Sequence, residues 1–391
     1  MSAPATVAPA DVPLPWPQLA RVFGVTLGLF IAFGCLLPVL PLWAESKLGS
    51  MTDVGLATTF AAGIGLILGR PVAARLMEGR DRAPTIVIGV ALCSGAALLF
   101  PLLSTLWPIL GVRTVQGMGF GMVTTAGVAA ITDLSPPARR GQVLGYFGAS
   151  NALSLIVGPA LGGAVARGIS FNATFYLAAG LGLLPLLALI GIREPAKVVV
   201  AGRKRLLEAL KLPKLKGIVA AHFFTLMIHG AILTFLPKRM AGHTGFMTAE
   251  AFYLIDGLVL ILFRVGVGRR FDVIGRGRFI FGGLVAIVAS TLLLALTEHD
   301  ATWIAAAALY GVGFGAYVPA SNALVGDVVP ETHRARGFAV FMLAFDVAMA
   351  CGGGLFGPVA EHGGIPLALL CAAACTAVGG VVWAVSRSTR A

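Results

Sequence analysis

Twelve stretches of roughly twenty apolar residues follow one another along this chain, and that is the length an α-helix needs to cross a lipid bilayer. They fall near 18–42, 53–76, 84–104, 106–130, 142–166, 172–192, 217–238, 248–268, 278–297, 302–326, 338–360 and 365–386. The breaks are short and carry turn punctuation, such as Ser135-Pro136-Pro137 and Gly363-Gly364. Hydrocarbon tolerates only backbone that satisfies its own hydrogen bonds, so each stretch reads as a helix. Of the 391 residues 58% are hydrophobic and 12% charged, about half the charge of a soluble domain. So few charges cannot coat a water-soluble globule of this size. A cytosolic enzyme, a disordered chain and a secreted disulfide scaffold are excluded.

The net charge of +12 would point to nucleic acid in a soluble protein. Here 24 of the 29 Lys and Arg lie in the N-terminal tail, in every second loop with its bordering helix ends, or in the C-terminal tail. Arg113 sits inside an apolar stretch, and Lys47, Arg167, Lys238 and Arg239 serve the opposite loops. That asymmetry is the positive-inside rule and predicts cytoplasmic termini, with no nucleic-acid partner. Cys35, Cys93, Cys351, Cys371 and Cys375 all lie in apolar stretches without metal-ligand spacing, and read as small hydrophobes. The first twenty residues hold no Lys or Arg. They read as a short cytoplasmic tail, not a cleavable signal, and with the compact loops predict a bacterial inner-membrane protein.

One interruption is long. Residues 193–216 carry eight Lys or Arg and divide the chain into a tail (1–17), a six-helix half (18–192), this basic cytoplasmic linker, a second six-helix half (217–386) and a tail (387–391). The halves match at a fixed offset of 194 residues. Arg70, Arg75, Glu78 and Arg82 align with Arg264, Arg269, Asp272 and Arg276. Gly117-Met118-Gly119-Phe120-Gly121 recurs as Gly311-Val312-Gly313-Phe314-Gly315, and Asp133, Pro136 and Arg140 recur as Asp327, Pro330 and Arg334. A six-span repeat in one orientation is a known transporter design.

The motifs sharpen this. Ala74-Arg75-Leu76-Met77-Glu78-Gly79-Arg80-Asp81-Arg82 and, more closely, Gly268-Arg269-Arg270-Phe271-Asp272-Val273-Ile274-Gly275-Arg276 resemble the G-x-L-a-D-R-x-G-R loop of the major facilitator superfamily. Arg113-Thr114-Val115-Gln116-Gly117 resembles its R-x-x-Q-G motif, and Gly158-Pro159-Ala160-Leu161-Gly162-Gly163 the G-P-x-x-G-G motif carried by its exporters. The resemblance runs from about residue 18 to 386. It implies an all-α integral membrane fold of two six-helix bundles and favours an antiporter. The first-span acid of many drug exporters in that family is missing between Arg21 and Glu45.

Charges inside spans are costly unless they face a partner or water, so they mark functional positions. Arg113, Asp256 and Asp346 are the three expected here, with Asp346, then Asp256, as the proton-coupling carboxylate and Arg113 as the cation acting on it. A structural ion pair of Arg113 with either acid is the plainer alternative. His222 and His229 share a helix face and would either relay protons or serve as polar packing. Gln116, Tyr146, Asn151, Tyr310, Tyr317 and Asn322 are suited, with Arg113, to line a substrate cavity. Glu78 and Asp272 would accept from a helix N-terminus, and Arg82 and Arg276 would pair with Asp133 and Asp327, forming a cytoplasmic gate. Gly158, Gly162 and Gly163 allow close helix approach and Pro159 permits bending, which suits a seam between halves.

No nucleophile constellation, phosphate-binding loop, metal cluster or cofactor fingerprint occurs, so no enzyme and no cofactor is expected. The leading expectation is a monomeric exporter of a small amphiphilic or drug-like molecule driven by proton antiport. The alternatives are a proton-coupled importer of an organic anion and a non-transporting membrane sensor.

Overall fold

A computed structural model of the protein describes residues 13–136, 139–189, 213–267, 275–330 and 334–388. Every regular element among them is helical. In chain order they are α1 (Trp16–Cys35), α2 (Val39–Leu48), α3 (Met51–Gly55), a π turn (Leu56–Phe60), α4 (Ala61–Leu76), α5 (Ala83–Leu99), α6 (Leu106–Leu134), α7 (Arg140–Gly168) and α8 (Phe171–Leu183). Then come α9 (Pro213–Met240), α10 (Ala249–Val267), α11 (Arg276–Leu296), α12 (Asp300–Val328) and α13 (Arg334–Ser388). The basic linker falls mostly outside the described residues.

Ten segments among the described residues are long and apolar enough to cross a membrane. This is a multi-pass membrane protein. One segment, Arg336–Ser386, runs for 51 residues. It is interrupted at Gly364, whose φ of 81° is open only to a residue without Cβ. α10 is 19 residues long and carries three charged residues, Glu250, Asp256 and Arg264.

Small residues set the helix spacing. Gly65 and Gly69 of α4 lie against the backbone of α6 at Thr114 and Met118, where a side chain would overlap carbonyl oxygens. Gly34 of α1 meets Gly158 of α7 in the same manner. Without a hydrophobic drive in lipid, such approach supplies the van der Waals contact that holds helices together. The buried apolar residues form separate clusters. The largest takes all its members but Ala152 from residues 221–383, and two others lie wholly within residues 14–189.

Candidate functional site

Among the described residues, polar contacts cross at several levels between helices before the linker and helices after it. One set lies near the starts of α3 and α10. Glu361 Oε2 accepts from Ser50 Oγ at 2.6 Å and from the Thr52 backbone N–H at 2.8 Å, so a carboxylate from α13 sits on the positive end of α3. Arg167 pairs with Glu250 at 2.7 Å and Lys238 with Glu45 at 2.6 Å. Gly163 makes room for the Glu250 side chain, which a Cβ there would overlap. Gly162 rests on the Cys35 backbone, and Pro159 is buried inside an unbroken α7. The glycines of this motif therefore seat α7 on α1 and admit an ion pair with α10.

Deeper in, the Thr58 and Thr59 hydroxyls meet Thr234 at 3.1 and 3.0 Å. Beside them lies a narrow apolar cavity walled by Phe33, Leu37, Ala62, Arg113, Leu233 and Met349. Arg113 is 4% exposed. Its Nε donates to the Thr58 carbonyl at 2.9 Å, its Nη1 donates to Gln116, and its guanidinium lies 4.9 Å over the Phe33 ring. The Thr58 carbonyl belongs to the π turn, an element that recurs at functional positions because it disturbs the regular i→i−4 ladder.

A further crossing is an ion pair. Arg70 Nε and Nη2 donate to Asp346 Oδ2 and Oδ1 at 2.5 and 3.0 Å. Asp346 is 1% exposed and the Arg70 side chain 30%. The cation facing Asp346 is thus Arg70, where the sequence pointed to Arg113. Arg70 reads from sequence as one of the basic residues at a helix end. Its long side chain instead turns along α4 into the interface with α13, while Arg113 spends its donors on Thr58 and Gln116.

The other sequence candidates separate into groups. His229 Nδ1 and the Tyr310 hydroxyl are 2.8 Å apart, with the Phe314 ring 4.9 Å from the imidazole. His222 Nδ1 and the Tyr317 hydroxyl are 3.1 Å apart, and the His222 ring stacks on Phe341 at 3.7 Å. Each histidine therefore has a phenol partner, and among the described residues neither is hydrogen-bonded to an acid. Asp256 Oδ1 and Asn151 Oδ1 are buried and lack a hydrogen-bond partner among the described residues. Tyr146 is 44% exposed, with its ring 5.9 Å from Trp16 and its hydroxyl accepting from Gln142. Asn322 is half-buried on α12.

At the far end of the helices, Arg82 Nε donates to Asp133 Oδ2 at 3.0 Å, and Arg276 pairs with Asp327. Glu78 is exposed. Asp272 lies outside the described residues. Sequence reasoning missed Arg70, Glu250, Glu361 and the Glu45–Lys238 pair. Arg70 had left a signal, since it repeats as Arg264.

The family model of the Major Facilitator Superfamily matches residues 22–300 and again 252–391, covering nearly the whole chain. The chain belongs to that superfamily. Among curated proteins it is similar to the quinolone resistance protein NorA of Staphylococcus aureus, at 28% identity over 229 residues. That match takes in 58% of this chain and 56% of NorA, so the chain spans little more than half the length of these relatives. An uncharacterized MFS-type transporter of Burkholderia mallei is 25% identical over 380 residues, 93% of this chain and 90% of that protein. Among solved structures, the nucleoside transporter NupG superposes with a TM-score of 0.79 at 14% identity, covering 94% of this chain and 99% of that one. A bacterial homolog of the lysosomal transporter Spinster, inward-facing and unoccupied, gives 0.77 at 14% identity, with 97% and 98% covered. These likenesses show the fold.

Proposed function

We propose that the protein is a secondary exporter of small amphiphilic or drug-like molecules, exchanging substrate for protons by alternating access. The observation that carries this is the buried Arg70–Asp346 pair between α4 and α13. In this reading α10 and the two parts of α13 on either side of Gly364 complete twelve spans. They form two six-helix bundles, 18–192 and 217–386, joined by the basic linker, and both termini lie in the cytoplasm. The Arg82 and Arg276 end is then cytoplasmic. The contacts of Glu361, Glu250 and Glu45 close the opposite side.

A carboxylate whose counter-charge sits on the other bundle suits coupling. A proton on Asp346 frees Arg70 and loosens the hold between bundles. A polar or cationic substrate group competes with the proton for that carboxylate, and competition at one site yields exchange instead of co-transport. Asp256 and the His229–Tyr310 and His222–Tyr317 pairs line the second bundle as further proton acceptors or cavity polar groups. The likeness to a quinolone resistance protein and the Gly158–Gly163 motif support the outward direction. Arg113, with Nε and Nη1 committed to Thr58 and Gln116, is a poor anchor for an imported anion.

The test is substrate movement in everted membrane vesicles with an imposed pH gradient. Acidifying the lumen should drive accumulation of a lipophilic dye in wild-type vesicles and not in Asp346→Asn vesicles. Equal accumulation in both removes Asp346 from coupling, and none in either removes the exporter.

A further inference from the structure

The internal repeat makes the α4–α13 and α7–α10 interfaces twins, and the structure keeps their register. Gly63 of α4 packs on Ala350 of α13, and Gly257 of α10 packs on Ile156 of α7. These two contacts are related by the same offset of 194 residues that aligns the halves. Applying it once more, the twin of Arg70 is Arg264 and the twin of Asp346 is Ala152. Alanine offers no acceptor. Its chain neighbour Asn151 does, and Asn151 Oδ1 is buried with no hydrogen-bond partner among the described residues. Arg264 Nε is buried and unpartnered in the same way.

Buried donors and acceptors are nearly always paired, and one left unpaired costs on the order of 1–3 kcal/mol. A donor and an acceptor both left open, at equivalent levels of two packed helices, mark a contact made in another arrangement. The acid on Arg264's own helix is Asp256, eight residues earlier and also holding an unpartnered oxygen. In the first half the arginine finds its acid across the interface; in the second the acid has moved onto the arginine's own helix, leaving an amide opposite.

We infer that Arg264 is a positioning residue that donates to Asn151 when the cytoplasmic parts of α7 and α10 close, forming a charge–amide twin of the Arg70–Asp346 ion pair. This rests on the alternating-access reading above. A charge–amide bond is weaker than an ion pair, so this interface opens and closes more readily than its twin, which is what a gate requires.

Nitroxide labels at Arg140 on α7 and Val265 on α10, with native cysteines replaced, report the separation of the two helices in reconstituted membranes. Wild type should populate a short and a long separation. Asn151→Asp, which installs a full ion pair, should raise the short population at least three-fold. Asn151→Leu and Arg264→Gln should each lower it about three-fold, and the double variant no further. Asn151→Ala serves if the leucine variant does not insert. Two wild-type separations with populations unmoved by every variant overturn the inference and leave alternating access standing. A single separation under all conditions overturns both.

Discussion

Arg70 Nε and Nη2 reach the two carboxylate oxygens of Asp346, a residue 276 positions further along the chain, at 2.5 and 3.0 Å. The bidentate fork is the geometry in which a guanidinium binds a carboxylate most strongly. It ties α4 to α13, so a change at one oxygen is felt by both helices.

Removing one partner should have unequal effects. Arg70→Gln leaves a buried carboxylate without its cation and is expected to cost roughly 3–5 kcal/mol. Asp346→Asn leaves a neutral amide and should cost less, while abolishing gradient-driven export. The double variant should melt above Arg70→Gln alone. Thermal unfolding in detergent, read beside vesicle transport, checks the order.

Close glycine contacts make a second contrast. A methyl group at Gly162 would overlap the Cys35 backbone, whereas one at Gly148 meets nothing within 4 Å. Gly162→Ala should destabilise by about 1–3 kcal/mol through overpacking and lose most transport; Gly148→Ala should keep both. Equal tolerance of the two in a thermal-shift and export assay would contradict the packing read here.

Arg82–Asp133 and Arg276–Asp327 are partly exposed pairs, and such pairs add only about 0–1 kcal/mol to stability. Their effect should appear in transport. Asp133→Asn and Asp327→Asn are expected to slow export several-fold at unchanged melting temperature, with Asp272→Asn acting likewise. Full-rate export by all three variants would leave these as ordinary loop charges.

Topology is open to chemical labelling. Single cysteines at Lys47, Arg167 and Glu298, in a cysteine-replaced background, should react with an impermeant thiol reagent added to intact cells. Cysteines at Arg80, Lys204 and Arg336 should not. Reaction of the second group would invert the proposed orientation.

Much of this molecule is legible in its residue order. Apolar length located the helices, and the 194-residue offset with the R-x-x-Q-G and G-P-x-x-G-G motifs placed the superfamily. Local pairings such as Arg82 with Asp133 were reachable, because the repeat fixes both ends. The Arg70–Asp346 pair was not. A basic residue near a helix end satisfies the positive-inside pattern whichever way its side chain turns, and no spacing rule links residues 276 apart. The Glu361 contact with α3 was hidden for the same reason, since its acceptor and donors lie on different halves. Asn151 and Arg264 became meaningful only when the repeat was laid over the packing.

The π turn at Leu56–Phe60 has a consequence for the phase of the helix that continues it. An α-helix turns by about 100° per residue, and a π turn is in effect one residue inserted into that winding. Ser50 and Thr52 precede the insertion and are docked on Glu361, while Arg70 follows it and is docked on Asp346. Forcing these five residues into regular winding without removing one would rotate everything downstream by about 100°. With the start of α3 still held, Arg70 would swing away from α13, and Thr58 would no longer offer its carbonyl to Arg113. Five residues thus set the angular phase that lets two distant attachments on one helix be satisfied at once.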